Sequence, residues 1–398
     1  MEDRFVYADN AATTPIAAEV LSKMMPFLTT EYGNASTLYH LGQSSHKALE
    51  NARKEVALLM NAEPSEIIFT GCGSESDNMA LRGYLHSPQA KGKKHMITST
   101  IEHHAILHTA QALEKEGYEV TYLPVNQYGQ VELDQLAAAI RPDTALVSIM
   151  FANNEIGTIN HVAEIGALCR EKGVVFHTDA VQAYGHVPVD VKAMNIDLLS
   201  LSGHKINAPK GVGAIYIRKG IVLQPILTGG GQERGLRSGT ENIASIVALG
   251  EAARLKRVNM ERESAYVGYL SQKLIEGVLK LPQTILTGHP TQRLPGTCSF
   301  CINAIEGESL VLRLDMNGIC ASTGSACSTG SLDPSHVLLG IGLSHEISHG
   351  SLRLTLGPQN TEEDVDYILE KLPGIIATLR DMSPVWEDLE TGRLAHRI

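Results

Sequence analysis

Hydrophobic and polar positions along the chain follow two different periods. From about residue 43 onward, segments in which apolar residues recur every three or four positions alternate with short runs rich in β-branched and aromatic residues. The short runs predict strands at EIIFT (66–70), HMITS (95–99), EVTYL (119–123), ALVSIM (145–150), VVFHT (174–178), IDLLSL (196–201) and GAIYI (213–217). Helices that alternate with strands in this way are typical of an α/β domain.

The pattern changes after the last of these strands. A glycine-rich break at 229–239 is followed by a long helical pattern that begins near Thr240. Beyond it, strand patterns at TCSFCIN (297–303) and SLRLTL (351–356) are mixed with helices, which predicts a smaller α+β unit. A chain of 398 residues also exceeds the length at which one core usually keeps growing. We therefore predict a large and a small domain that meet inside the long helix: 15–260, and 1–14 with 261–398.

The charge and composition of the chain indicate which kinds of molecule it binds. The formal net charge is -11 and no run of five or six basic residues is present, so we expect no direct contact with nucleic acid and no membrane attachment. Charged residues make up 19% of the chain, below the roughly 25% usual in soluble domains, which favours extensive burial or a subunit interface. The chain shows no secretion signal or apolar run of transmembrane length, and its six cysteines are widely spread. We therefore expect a cytoplasmic protein with free thiols.

Two glycine-rich turns are candidates for binding a phosphate group. The predicted strand at 66–70 runs into Gly73 and Ser74 and then into a helical pattern, so small residues lie beside the unpaired amides of a helix N-terminus. An ordinary turn capped by Ser74 is the alternative. The loop at 237–240 offers a second such end, with the hydroxyl of Thr240, before the long helix. Two such turns favour a phosphorylated cofactor.

Lys205 and Asp179 are the candidates for holding that cofactor. Lys205 follows a predicted strand, at the edge where open α/β sheets bind ligands, and could form a Schiff base with pyridoxal phosphate (PLP); a solvated surface lysine is the alternative. Asp179 ends another buried strand, where its carboxylate would pair with the pyridinium nitrogen of PLP or cap a helix. His103 suits stacking on the ring and proton transfer, although His103 and its neighbour His104 could both be structural.

Cys327 is the candidate reactive thiol. It lies in ASTGSACSTGSLDP, a composition typical of a surface loop, whereas structural cysteines usually have apolar neighbours. Cys298 and Cys301 form a C-x-x-C, but a strand with a period of two points them to opposite faces, so we predict no metal site. The default prediction for the other three is small packing residues: Cys72, Cys169 and Cys320.

The motifs together resemble the NifS/IscS-type cysteine desulfurases, which are fold-type I PLP enzymes of the class-V aminotransferase family. The resemblance covers nearly the whole chain and is carried by YADNAATTP, GSESDN, TIEHHAIL, ANNEIGT, HTDAVQA, SGHKINAPKGVG, QERGLRSGTEN, EGES, STGSACSTGSLDPSHV and SLRLTLG. It implies a large PLP-binding domain with a mostly parallel seven-stranded sheet flanked by helices. It also implies a smaller α+β domain that carries a catalytic cysteine loop at about 321–332.

The resemblance implies a role for each matching residue. Lys205 would be the Schiff-base lysine, Asp179 the partner of the pyridinium nitrogen and His103 the residue stacked on the ring. The other implied cofactor contacts are Gln182 at the phenolic oxygen, Gly73, Ser74, Ser202 and His204 at the phosphate, Asn154, and Thr240 from the partner subunit of a homodimer. The implied substrate contacts are Arg353, Asn154 and Asn34. Arg353 suits a carboxylate because its planar fork can bind both oxygens, although a strand-edge charge is the alternative.

The activity that the resemblance implies is removal of sulfur from L-cysteine. Cys327 would take the sulfur as a persulfide, L-alanine would leave, and an iron–sulfur scaffold or another sulfur-acceptor protein, such as a tRNA-thiolation partner, would receive the sulfur. Alternatives are a selenocysteine lyase or another fold-type I enzyme of the aminotransferase type that need not use Cys327. A catalytically silent scaffold is a further alternative, against which the intact Lys205, Asp179, His103 and Cys327 argue. One departure stands out, since Ala35, next to Asn34, replaces a proline usual in relatives.

Overall fold

A computed structural model describes residues 4–324 and 334–390 of the chain, with elements numbered in chain order. The strands are β1 (Val6–Tyr7), β2 (Ile67–Thr70), β3 (His95–Ser99), β4 (Glu119–Leu123), β5 (Thr144–Ser148), β6 (Val175–Asp179), β7 (Leu198–Ser202), β8 (Gly213–Ile217), β9 (Thr284–Leu286), β10 (Thr297–Ile302), β11 (Ile319–Cys320) and β12 (Ser351–Thr355). The α-helices are α1 (Ala18–Met24), α2 (Pro26–Thr29), α3 (His40–Leu58), α4 (Gly73–Leu85), α5 (His104–Lys115), α6 (Leu133–Ala139), α7 (Val162–Lys172), α8 (Ile243–Val278), α9 (Gly307–Asp315), α10 (His336–Gly340), α11 (His345–His349), α12 (Glu362–Arg380) and α13 (Pro384–Glu390).

A seven-stranded sheet forms the centre of the larger unit. Its strand order is β2-β8-β7-β6-β5-β3-β4, and every neighbouring pair is parallel except the two that β8 makes with β2 and β7. Most of its strands are buried along their whole length, because helices cover both faces of a sheet of this kind. The predicted mostly parallel seven-stranded sheet is therefore confirmed, with strand ends within about two residues of the predicted ones.

The ends of three strands place chemically useful residues at one edge of this sheet. Strands β2, β6 and β7 run in the same direction, so their carboxyl ends lie at the same edge. After β2 the chain enters α4 at Gly73, β6 ends at Asp179, and β7 leads into a short 3-10 turn that contains Lys205. Ligands of open α/β sheets bind at this edge.

A second core lies around the sheet β12-β10-β9, in which both strand pairs are antiparallel. Helix α8 takes part in both cores, since Leu249 packs in the core beside the large sheet and Leu274 packs in the core beside β10. Val6 of β1 also belongs to the second core. These contacts support our proposal that the domains meet within α8 near residue 260. Strands β1, β9 and β11 were not predicted, because two or three residues are too few to show a period.

Helix α8 begins three residues later than its pattern predicts. Asn242 caps it by accepting a hydrogen bond from the backbone N–H of Ser245 at 3.3 Å. Thr240 lies two residues before this cap, on the loop that precedes the helix, as the sequence predicts. The glycine-rich loop before it is fixed by Glu233, whose carboxylate accepts two hydrogen bonds from the buried Arg53, at 2.7 Å each.

The C-x-x-C pair is divided between two cores. Cys298 is buried in the core of the small sheet, and Cys301 is buried in a separate cluster with Val337 and Leu338. The alternation of β10 thus separates the two thiols, as its period predicts. Among the residues that the structure describes, no group of three or more His, Cys, Asp or Glu side chains is arranged to hold a metal ion. None of the described helices has both the length and the apolar character needed to span a bilayer.

Two glycines of α8 test how tightly this helix packs. A Cβ atom at Gly250 would lie 2.5 Å from Cα of Ala52 in α3, whereas a Cβ at Gly268 would meet no atom within 4 Å. We expect Gly250→Ala to lower the free energy of unfolding by about 1–3 kcal/mol through overpacking. Gly268→Ala should raise it by roughly 0.5–1 kcal/mol, because glycine is a poor helix former. Urea unfolding of both variants measures the difference, and two effects of the same sign would contradict this packing.

Candidate active site

A cavity of about 330 Å³ opens at the carboxyl edge of the large sheet. Most of the site residues that the sequence predicts line it: Gly73, Ser74, His103, Asn154, Asp179, Gln182, Ser202, His204, Lys205 and Arg353. They come from both parts of the chain, since Arg353 lies on β12 of the small sheet. The cavity therefore lies where the large sheet meets the small one.

Three predicted residues are not among the lining. Asn34 is exposed, and its side-chain oxygen accepts a hydrogen bond from the backbone N–H of Ser36 at 2.9 Å. Thr240 is exposed on the loop before α8. Cys327 lies outside the described residues. The roles assigned to these three residues stay predictions.

Lys205 is held over the cavity by the N-terminal segment. Its ammonium group donates hydrogen bonds to the backbone oxygens of Ala11, at 2.6 Å, and Ala12, at 2.9 Å. The backbone oxygen of Ala11 also accepts a hydrogen bond from the side-chain amide of Gln182 at 3.0 Å. The imidazole of the buried His186 lies 2.9 Å from the backbone oxygen of Lys205. Contacts far apart in sequence thus fix both the backbone and the side chain of Lys205.

Asp179 is a buried carboxyl group at the end of β6. One of its oxygens accepts a hydrogen bond from the backbone N–H of Val181 at 2.9 Å, which is a turn contact rather than a helix cap. Burial raises the pKa of Asp179, which the backbone bond and the nearby Lys205 only partly offset. Burial and the charge of Asp179 also raise the pKa of Asp77, which lines the same cavity and has one oxygen without a hydrogen-bond partner in the described part of the chain. Two buried acids side by side favour a cationic partner in the cavity.

His103 is neutral at physiological pH and has a defined tautomer. Burial and the positive charge of Lys205 lower the pKa of His103 to about 4. Its Nδ1 accepts a hydrogen bond from the backbone N–H of Ala105 at 3.1 Å, so the ring proton is on Nε2. Burial also lowers the pKa of His204 to about 4, and the Nδ1 of His204 lies 3.1 Å from the hydroxyl of Thr13.

The first predicted glycine-rich turn leads into a helix N-terminus at the cavity, whereas the second turn is held by a side-chain contact. Helix α4, of 13 residues, begins at Gly73, and a Cβ atom there would lie 2.7 Å from Cγ2 of Val181. Only glycine therefore leaves this wall of the cavity unobstructed. In the second loop, the guanidinium of Arg237 donates to the carboxylate of Glu75 at 2.8 Å. This contact links the loop to the first turn of α4.

Arg353 is a buried cation that lines the same cavity. Its guanidinium donates to the carboxylate of Asp9 at 3.0 Å and to the backbone oxygen of Asn154 at 2.9 Å. Its Nε atom is buried and has no hydrogen-bond partner among the described residues. A buried guanidinium with a donor to spare suits a carboxylate ligand, which can accept two parallel hydrogen bonds.

Sequence reasoning missed several residues of the site. Cys72, which was predicted to be a packing residue, is exposed and lines the cavity, so that prediction is wrong. Asp77, one helical turn along α4, was not identified as a cavity residue. The motifs YADNAATTP and ANNEIGT matched, yet Asp9 and Glu155 within them received no role. A carboxylate inside a matching motif was the signal that could have identified these two residues, because a buried carboxylate needs a partner.

The side chains of the cavity fit pyridoxal phosphate. The orphaned oxygen of Asp77 beside Asp179 shows a place for positive charge, and the glycine at the start of α4 leaves room beside free helix amides for an anion. A lysine in the same lining completes the set. This combination of a mostly parallel sheet, a lysine and an aspartate at its carboxyl edge defines a fold-type I PLP-dependent enzyme.

Comparison with known proteins gives the family. Residues 6–368 match the model of the aminotransferase class-V family, to which the chain belongs. The chain is 55% identical to cysteine desulfurase IscS of Methanosarcina thermophila over 96% of this chain and 95% of the relative, and 56% identical to cysteine desulfurase IscS of Clostridium botulinum over 96% and 97%. Among solved structures, a NifS-like protein superposes with a TM-score of 0.89 at 38% identity, covering 94% of this chain and 100% of that one.

The buried Glu102 makes the free energy of unfolding of the protein depend on pH. Burial raises the pKa of Glu102 to about 8, although Ser99 and the backbone N–H of Met150 donate to its carboxyl group. Between pH 4.5 and pH 8 the folded protein therefore holds a proton that the unfolded chain has lost, and its stability falls as the pH rises through this window. We expect Glu102→Gln, which cannot titrate, to remove roughly 1–3 kcal/mol of this decline.

Urea-unfolding midpoints at pH 5 and pH 8 measure the effect. Glu19→Gln, which changes an exposed side chain of α1, controls for the loss of one carboxylate. An equal decline in wild type and Glu102→Gln would show that this residue does not hold the extra proton.

Proposed function

We propose that the protein is a cysteine desulfurase, which takes the sulfur of L-cysteine, releases L-alanine and leaves a persulfide on Cys327. Relatives named cysteine desulfurase IscS share 55–56% identity with nearly the whole chain. The observation that carries the proposal is a cavity whose lining contains Lys205, Asp179 and Arg353 together. Such a cavity accommodates a PLP enzyme's cofactor together with a small amino acid that has a free carboxylate.

Pyridoxal phosphate supplies an electron sink for bonds at the α-carbon of an amino acid. We propose that Lys205 binds it covalently, that Asp179 pairs with its ring nitrogen and that His103 lies against its ring. The remaining proposed cofactor contacts are Gln182 and Asn154 at the ring substituents, Gly73, Ser74, Ser202 and His204 at the phosphate, and Thr240 from a second subunit. The helix amides of α4 support the proposed phosphate contacts. The buried Asp179 supports the proposed contact with the ring nitrogen.

Arg353 is proposed to select the substrate. A cysteine carboxylate would accept hydrogen bonds from its guanidinium, in part replacing Asp9, with Asn154 beside it and Asn34 as a further predicted contact. Arginine suits this task because its charge persists at every working pH and its fork fixes the orientation of the ligand. The fixed carboxylate would orient the α-carbon and the sulfur within the cavity.

Proton transfer is assigned to Lys205 and His103. Lys205 lines the cavity, and its amine, once released, would accept the proton that leaves the α-carbon. His103 holds its proton on Nε2 at neutral pH and would exchange protons with the substrate there. The thiolate of Cys327 would form a bond to the substrate sulfur while the carbon–sulfur bond breaks, and the carbon would retain the electron pair and later take up a proton.

We further propose a cytoplasmic homodimer that passes the sulfur to an iron–sulfur scaffold or another acceptor protein. Apolar side chains exposed on the N-terminal helices and the loop that follows support self-association: Leu21, Met25, Leu28, Tyr32, Leu38 and Tyr39. Large apolar side chains exposed on neighbouring elements favour an interface. The acidic net charge supports a protein acceptor rather than direct contact with nucleic acid or a membrane.

Three cysteine variants identify the sulfur acceptor. We expect Cys327→Ala to lower alanine formation from cysteine by about 10³-fold or more, because no nucleophile then attacks the substrate sulfur. Cys72→Ala and Cys320→Ala should stay within about threefold of wild type, as expected for residues outside the reaction. Mass spectrometry should find one added sulfur on the Cys327 peptide of wild type and of both controls.

The same variants separate the alternatives. Undiminished alanine release from cysteine by Cys327→Ala would contradict the persulfide mechanism and favour a lyase that works without this thiol. Sulfur on Cys72, which faces the cavity, would assign the acceptor role to that residue instead.

Borohydride reduction tests the covalent attachment. Reduction of the PLP-loaded protein, followed by digestion and mass spectrometry, should place a pyridoxyl group on the peptide that contains Lys205. Lys205→Arg should show no such group and no absorption band above 400 nm, while Lys210→Arg, an exposed neighbour, should keep both. A pyridoxyl group on any other lysine of wild type would contradict the assignment.

A further inference from the structure

A hydrogen bond from His186 reaches the backbone oxygen of Lys205. Nε2 of His186 lies 2.9 Å from this oxygen, which can only accept, so the ring proton is on Nε2 and Nε2 is the donor. Burial lowers the pKa of His186 to about 4, and the positive charges of Lys256 and Lys205 act in the same direction. The imidazole is therefore neutral at physiological pH and keeps this one donor.

His186 is itself attached to helix α8. Its backbone oxygen accepts a hydrogen bond from the hydroxyl of Ser264 at 2.8 Å, and its backbone N–H donates to the backbone oxygen of Ala183 at 3.0 Å. Ser264 lies on α8 just beyond residue 260, near which the two domains are proposed to meet. Two hydrogen bonds thus connect this part of α8, through His186, to Lys205.

The chain before His186 is closely packed. Gly185 has a φ of +78°, and a Cβ atom there would lie 2.9 Å from Cγ2 of Ile206 and 3.1 Å from Cγ of Lys256. Lys256 of α8 is only 5% exposed, and its ammonium group donates to the carboxylate of Glu263 at 2.8 Å. Breaking a buried ion pair is costly, so this pair holds Lys256 in place. The segment that carries His186 therefore has a fixed position against α8.

The turn that contains Lys205 depends on contacts from outside it. It is a 3-10 turn of three residues, Gly203–Lys205. Asn207 follows with a φ of +66°, a conformation that a residue with a side chain keeps only where its surroundings fix it. The N-terminal segment holds this end of the turn, since Thr14 accepts a hydrogen bond at its hydroxyl from the backbone N–H of Asn207 at 2.9 Å. His186 bonds the backbone of Lys205 itself.

We propose that His186 is a positioning residue, which fixes the backbone of Lys205 relative to helix α8 and so holds the Lys205 amine where it bonds to the aldehyde carbon of PLP. In this step the amine nitrogen becomes doubly bonded to the aldehyde carbon, and the aldehyde oxygen leaves as water with two hydrogens of the amine. This inference rests on the proposed function for the role of Lys205. His186 and Ser264 are not among the described residues that line the cavity, so they act through Lys205.

Reloading with PLP tests the effect on Lys205. The cofactor is removed from the full-length protein and added back, and the growth of the absorption band above 400 nm gives the rate of attachment. We expect His186→Leu, which removes the donor, to slow attachment by about tenfold, because a small displacement of the amine is enough. His186→Gln, whose side-chain amide can donate to the same oxygen, should return to within about threefold of wild type.

A matched control separates this effect from the loss of a buried histidine. His95 is fully buried, and its ring nitrogens lie 2.7 Å and 2.8 Å from the hydroxyls of Thr144 and Thr121. It begins β3, so it lies at the opposite edge of the sheet from the cavity. His95→Leu should lower the urea-unfolding midpoint but leave the rate of PLP attachment within about twofold of wild type.

A double-variant cycle tests the link to α8. Ser264→Ala keeps the imidazole but removes the hydroxyl that holds it, so we expect attachment to slow by about threefold. Combining Ser264→Ala with His186→Leu should slow attachment no further than His186→Leu alone, because Ser264 acts through His186. Effects that multiply in the double variant would contradict this path.

Hydrogen exchange supplies a readout that does not depend on attachment of the cofactor. The backbone N–H groups of Ile206 and Ala208 both donate to the backbone oxygen of Gly203, at 3.0 Å and 3.1 Å. In full-length protein with and without PLP, exchange in the peptide that contains them should be roughly threefold to tenfold faster in His186→Leu and in Ser264→Ala than in wild type. His186→Gln should exchange at close to the wild-type rate.

Several outcomes would overturn the proposal. These are attachment at the wild-type rate in His186→Leu, no recovery in His186→Gln, or attachment as slow in His95→Leu as in His186→Leu. Should His186→Leu fail to fold, wild-type attachment and exchange in Ser264→Ala would be enough to overturn it. If wild type formed no band above 400 nm with PLP, the proposed function would fail, and hydrogen exchange would still decide whether His186 fixes the turn.

Discussion

The site depends on one contact, in which the ammonium group of Lys205 donates to the backbone oxygens of Ala11 and Ala12. The N-terminal segment that supplies these oxygens is itself fixed from both sides. Ala11 donates its backbone N–H to the hydroxyl of Thr355 on the small sheet at 2.8 Å, and Thr14 donates its backbone N–H to the backbone oxygen of His204 at 2.9 Å. A few residues of irregular chain thus join the two sheets across the cavity that they form.

This arrangement explains which parts could be predicted from the sequence. Asp179 and Lys205 were predictable because strand direction alone places them at one edge of the sheet, and strand direction follows from the alternation of helices and strands. Asp9 was not, because its partner Arg353 lies 344 positions away and no local period records such a pair. The cavity position of Cys72 was not predicted for a related reason. A small side chain at the start of a helix is equally common in a packed core and in the wall of a cavity.

The pKa values of the acidic groups in the cavity are set by their burial. Asp179 and Asp77 are buried together beneath the cavity, where each raises the cost of ionising the other. His177 is buried between the hydroxyls of Ser148 and Ser200, and burial lowers its pKa to about 3. It is therefore neutral and does not offset the negative charge of the two aspartates. The uncompensated acids give this wall a preference for a cationic ring nitrogen, and they make Lys205, the nearby cation, part of the same balance.

Arg353 shows how a second buried charge of the cavity lining avoids the same cost. A guanidinium that is 5% exposed on its side chain would be strongly unfavourable if left unpaired, and Asp9 supplies the balancing charge before any substrate arrives. In the proposed function, a substrate carboxylate that shared or replaced Asp9 would leave the local charge nearly unchanged, so binding would exchange one ion pair for another instead of burying a new charge. Because Asp9 also accepts from Ser322, that exchange would also change the hydrogen bond of the Ser322 hydroxyl. Arg353, Asp9 and Ser322 therefore form one hydrogen-bond network, and a ligand bound at Arg353 would act on all three.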